Sequence, residues 1–82
     1  MFIATEHRIT DLDTFSQKAG PALGQPPAGM RLQTALLDRD DHCCRCIWEA
    51  DSIESVQNYL EPELGSASAT VYYLLDPETA IG

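Results

Sequence analysis

The stretch CIWEADSIESVQNYL, Cys46 to Leu60, changes its hydrophobic period halfway along, and that change decides the fold. Up to Ala50 the residues alternate, Cys46 and Trp48 on one side with Ile47 and Glu49 on the other, as in a strand whose successive side chains point to opposite faces. Asp51-Ser-Ile-Glu54 then gives a helix-capping signal. Ile53, Val56, Leu60 and Leu64 follow at spacings of three and four, one face of a helix that runs to about Tyr59 or Leu60 before Pro62 interrupts it.

Working backwards, the strand extends from Cys43 to Ala50, and the polar run Asp38-Arg39-Asp40-Asp41 joins it as a hairpin to another strand, Met30 to Arg39. In that strand Leu32, Thr34 and Leu36 alternate with Gln33, Ala35 and Leu37. Before it, Gly20 to Gly29 holds three of the five glycines and three of the five prolines, and reads as a loop. Thr10-Asp-Leu-Asp13 carries a Thr cap with an acid three residues later, and Leu12, Phe15, Ala19 and Leu23 line one helical face; this helix ends near Gly20 or Pro21. Phe2 to Ile9 alternates as a first strand. Forward of the second helix, Ala69 to Leu75 (ATVYYLL) is nearly continuous in β-forming residues and makes a fourth.

The order is β-α-β-β-α-β across a single domain, residues 1–82. It satisfies the right-handed crossover rule twice by laying a four-stranded antiparallel sheet under two helices on one face, the ferredoxin-like α+β arrangement. The helix-free face should then be polar in a monomer. Strand four is apolar on both sides, however, with Val71, Tyr73 and Leu75 on one and Tyr72 and Leu74 on the other, so something must cover the second face. A sheet-to-sheet homodimer is the simplest cover, and it suits a core that by size alone supplies only ~3 to 5 kcal/mol.

Thirteen acidic residues against five basic ones give 82 residues a net charge of −8, and the cations (Arg8, Lys18, Arg31, Arg39, Arg45) are scattered singly. Nucleic acid and anionic membrane surfaces need clustered cations and are poor partners. No apolar run is long enough to span a membrane, the N-terminus lacks the pattern of a signal peptide, and three closely spaced cysteines suit no ordinary disulfide framework; the expectation is a cytoplasmic protein.

The order, the length and the CIWEADSIESVQNYL passage, a strand ending in Glu-Ala followed at once by a capped helix, resemble the dimeric α/β-barrel superfamily. Within it the chain is similar to a family of short bacterial ferredoxin-like proteins of largely unassigned function, some of which resemble nickel-binding proteins. The resemblance implies a metal site: a histidine ending the first strand is matched by His7, and a cysteine before the hydrophobic-Glu-Ala end of the third strand by Cys46. Further histidines on the helices have no match, since Gln17 and Lys18 stand on the first and Gln57, Asn58 and Tyr59 on the second.

His7 and Cys46 fall on what should be the two central strands, and imidazole with thiolate suits nickel, zinc or copper. Further donors would have to come from His42, Cys44, Glu6 or Glu49. Cys43-Cys44-Arg45-Cys46 invites a redox reading, but neighbours on a strand diverge, and Cys44 and Cys46 stand about 6 to 7 Å apart along one face, beyond ordinary disulfide reach. Neither His7 with Glu6 nor His42 with Asp41 makes a general-base pair, and Asp38, Asp40 and Asp41 read as a solvated turn. Trp48, Tyr72, Tyr73 and Phe2 either pack in the core and dimer face or line an aromatic pocket. Two functions follow: a homodimeric binding module holding a transition metal or small ligand between sheet and helices, through His7, Cys46, Trp48, Tyr72 and Tyr73; or a cofactor-independent monooxygenase for an aromatic or polyphenolic substrate, as the superfamily resemblance also implies.

Overall fold

The computed structural model describes residues 1–76 and 78. Strands β1 (Phe2–Ile9), β2 (Arg31–Asp38), β3 (Cys43–Glu49) and β4 (Ser68–Leu75) form one antiparallel sheet in the order β2-β3-β1-β4, with α1 (Leu12–Gly24) and α2 (Ile53–Leu64) between them in the chain. This is the ferredoxin-like order, and it makes β1 and β3 the central pair. The register sets Ile3, Thr5 and His7 opposite Trp48, Cys46 and Cys44 on one side and opposite Leu74, Tyr72 and Thr70 on the other. Directly opposed residues share a face, so these nine all point to the helix side, Leu74 at its margin and still 58% exposed.

The periodic apolar positions bury as their spacing requires. Phe15 and Ala22 from α1, and Val56, Leu60 and Leu64 from α2, close over Ile3, Cys44, Cys46 and Trp48, with Leu12, Ala19, Leu23 and Ile53 at the margin. Among the described residues no helix is long and apolar enough to cross a membrane.

Both helices outlast the prolines expected to stop them. Pro21 opens the last turn of α1, which is closed by the Gln25 amide on the Pro21 carbonyl at 3.1 Å, and the Tyr59 hydroxyl of α2 donates to the Ala22 carbonyl at 2.8 Å. Pro62 likewise stands one turn from the end of α2, where Leu64 is buried and its carbonyl accepts from Ala67 at 3.0 Å and from the Ser68 hydroxyl at 3.0 Å. A proline there forfeits one amide bond, and tertiary contacts hold the turn beyond it. The loop of the sequence reading therefore shrinks to the residues after Gly24, ending at Gly29, whose φ of +86° is the left-handed conformation that glycine alone adopts freely.

Each helix starts one residue later than the capping signals suggested. Asp11, not Thr10, caps α1, accepting from the Thr14 amide at 3.1 Å and the Thr14 hydroxyl at 2.7 Å. Ser52, not Asp51, caps α2 in a reciprocal capping box with Ser55. Both alternatives are good cap residues at adjacent positions, and backbone entry from the preceding strand selects between them.

Candidate functional site

His7 is fully buried beneath the helices, at 0% exposure, and every polar contact it makes is to an uncharged hydroxyl. Its Nε2 lies 3.0 Å from Thr5 Oγ1 and its Nδ1 2.8 Å from Thr70 Oγ1, while the Trp48 indole N–H donates to Thr5 at 3.2 Å. Thr5 and His7 meet because they alternate onto one face of β1, and Thr70 meets His7 because the register of β4 sets them opposite. A neutral imidazole satisfies this network in either tautomer, since each hydroxyl can donate or accept. Burial penalises the cation and lowers the His7 pKa from 6.5 to about 4. The Phe15 ring of α1 lies over the imidazole, 5.8 Å between centroids.

Cys46 occupies the same face on β3, opposite Thr5, so it is a diagonal neighbour of His7, and Cys44 is the residue directly opposite His7. For an ion to be held by His7 and Cys46, the imidazole would have to release one of its threonine partners. Among the described residues no three His, Cys, Asp or Glu side chains gather closely enough to hold a metal ion. The nickel site implied by the resemblance therefore finds a poor fit here. Of the other donors considered, Glu6 and Glu49 lie on the helix-free face, and His42 is exposed in the β2–β3 hairpin with its carbonyl accepting from the Ile9 amide at 2.8 Å.

The three cysteines are free and buried. Cys43 faces the helix-free side, whereas the Cys44 and Cys46 sulfurs lie 3.8 Å apart, in hydrogen-bonding contact. A thiolate on Cys44 is eased by the hydrogen bond from Cys46. The Cys46 thiol then holds its proton far above the ordinary thiol range, through that same hydrogen bond, burial and the charge next door.

A cleft of about 260 Å³ opens between α1 and the β2 side of the sheet. Phe15, Ala19 and Leu23 form its helical wall and Ala35 and Leu37 its strand wall, with Cys44 in the lining and Arg39 and Ser16 as its polar groups. It exists because α1 packs on α2 and on the central strands and leaves the edge strand uncovered: Leu37 points to the helix side and is still 42% exposed. The periodicity of α1 marks Phe15, Ala19 and Leu23 as core positions, and nothing in that periodicity separates a residue packed on the sheet from one standing over a gap.

The aromatic residues do not assemble into one pocket within the chain. Trp48 is in the core at 0% exposure. Tyr72 is half-buried on the helix side, its hydroxyl donating to Glu61 at 3.0 Å, and burial with the Glu61 carboxylate pushes its pKa up. Tyr73 stands on the opposite face, opposed to Ala4, with Phe2 half-buried on that same side. There Leu36, Val71 and Tyr73 are 66%, 52% and 48% exposed, around Ala4 and Ile47. At one end of this face Glu6 lies 3.7 Å from Arg8 and 3.9 Å from Arg45, and Arg45 3.9 Å from Asp41.

Compared with known proteins, the chain matches no family model, and no curated protein aligns with it significantly.

Proposed function

We propose that the protein is a small homodimeric binding module that takes a compact, largely apolar molecule into the cleft between α1 and β2. The observation that carries this reading is the cleft itself: a concave, apolar space of about 260 Å³ whose polar groups include a guanidinium and a thiol, the composition of a small-ligand site. Its size and the Arg39 charge favour an aromatic or aliphatic acid of about one or two rings. The monooxygenase alternative asks more of the chain, because His7 would have to reach substrate and it lies behind Phe15 with both nitrogens engaged.

The second copy in this reading covers the helix-free face. An apolar centre of Leu36, Val71 and Tyr73 beside an end carrying both signs of charge, Glu6 with Arg8 and Arg45, suits an isologous contact in which each patch meets its own copy.

Amide-resolved NMR titration with naphthoate tests the ligand site: shifts concentrated at Phe15, Ala19, Leu23 and Leu37, and abolished by Ala19→Trp, are the expected result. Shifts elsewhere, or none, would defeat it. Light scattering tests the dimer, with the mass of two chains at micromolar concentration expected for the wild type and one chain for Tyr73→Asp.

A further inference from the structure

We propose that Cys44 is the reactive group of the cleft between α1 and β2, where its thiol adds to a carboxylate-bearing α,β-unsaturated carbonyl compound. The inference rests on the reading of that cleft as the ligand site, and it names the class of ligand. Three observations converge there. Cys44 lines the cleft, so the little surface it keeps, 3%, opens into a space of about 260 Å³ walled by Phe15, Ala19, Leu23 and Leu37. The Cys46 sulfur stands 3.8 Å from it, in hydrogen-bonding contact. Arg39 also lines the cleft and, unlike Arg8, Arg31 and Arg45, makes no ion pair among the described residues.

The other two thiols lack this setting. Cys43 faces the helix-free side, where burial makes its proton harder to remove, and Cys46 lies outside the cleft lining and holds its proton more firmly still. The thiolate is the nucleophile, and the hydrogen bond from Cys46 favours it on Cys44. In the addition, the Cys44 thiol gives its proton to solvent and its sulfur bonds to the β-carbon. The alkene electron pair moves onto the carbonyl oxygen, and the α-carbon then takes a proton from solvent. The sum is S–H added across C=C, with nothing oxidised or reduced by an outside reagent. Leu37 is directly opposite Cys44 on β2, and Arg39 is two residues further on, about 6 to 7 Å along the chain. A ligand whose carboxylate stands a few atoms from its alkene therefore meets both groups at once, with its apolar body against Phe15 and Leu23.

Two maleimides test the assignment on the reduced, full-length protein: neutral N-ethylmaleimide, and N-maleoyl-β-alanine, which carries a carboxylate. The expected result is a single adduct per chain, mapped to Cys44 by peptide mass spectrometry, with Cys43 and Cys46 unmodified until denaturant is added. A chain of net charge −8 repels anions overall, so a thiol without local help would take the anionic reagent more slowly. At Cys44 the anionic reagent should instead be the faster, by roughly threefold after each rate is divided by that with mercaptoethanol, and Arg39→Gln should remove the advantage. Naphthoate should slow the labelling. Modification of all three cysteines together, which is what opening of the whole fold would give, overturns the proposal, as does no adduct in native protein or an anionic reagent that is the slower with Arg39 in place. Amide shifts from naphthoate separate the two readings: shifts at the cleft without labelling of Cys44 sink the thiol chemistry and leave the cleft, whereas neither shifts nor labelling sinks both.

Discussion

Residues 6 and 7 are neighbours on β1, yet they live in opposite physical worlds. Glu6 points to the helix-free face, part exposed, between two guanidiniums at 3.7 and 3.9 Å. His7 points under the helices, fully buried, between two hydroxyls. The contrast extends over the sheet apart from the margins of the covered face, where Leu37 and Leu74 are 42% and 58% exposed. The covered face hides a polar network of Thr5, His7, Thr70 and the Trp48 indole within its apolar core, and the open face carries exposed Leu36, Val71 and Tyr73 beside its charges. Polar groups are satisfied where water is absent, and apolar groups are exposed where water is present. The first costs little because every hydrogen bond is made; the second leaves apolar surface that a partner would cover.

The sharpest break is Trp48→Ala. It removes the largest fully buried side chain together with a donor to Thr5, and a loss of about 3 to 5 kcal/mol is expected in denaturant unfolding. A comparable truncation on the open face, Tyr73→Ala, should cost far less in dilute protein, and equal losses would contradict the assignment of faces. Next comes the titration of His7. Its folded pKa of about 4 lies below the ordinary 6.5, so the unfolded chain binds the extra proton between those values. The stabilisation is complete above pH 6.5 and is lost as pH falls towards 4, by about 3 kcal/mol in all. The stability gap between wild type and His7→Gln should narrow by that amount over this window, and a gap independent of pH would show that His7 is not buried neutral. The smallest effect is that of Glu6→Gln. Its ion pairs are long and part exposed, so below about 1 kcal/mol is expected at low protein concentration, shrinking further in salt. A loss that grows with protein concentration would place Glu6 in the proposed dimer contact.

Much of this was legible in the residues. Alternation assigned Cys44, Cys46 and Trp48 to one face, and the spacing of Ile53, Val56, Leu60 and Leu64 assigned the buried side of α2, because both periods are local consequences of backbone geometry. The last turns of the helices were not legible, since Pro21 and Pro62 argue locally for a stop and the contacts that override them come from distant residues such as Tyr59 and Ser68. The site was legible by parts. His7 could be placed on a central strand, but its engagement by Thr70 joins residues 63 apart and depends on the register of β4. Alternation already separated Tyr72 from Tyr73. The 3.8 Å approach of two sulfurs depends on side-chain rotamers, and the cleft depends on how far α1 stands from an edge strand; no periodicity encodes either.

The Tyr59 hydroxyl, which reaches from α2 to the Ala22 carbonyl at 2.8 Å and the Gln25 carbonyl at 3.3 Å, makes the end of one helix conditional on the other. The turn after Pro21 has lost an amide bond of its own, so it gains protection against hydrogen exchange only once α2 has docked. The two helices should then open together as one cooperative unit, so that α1 does not keep its last turn while α2 is undocked.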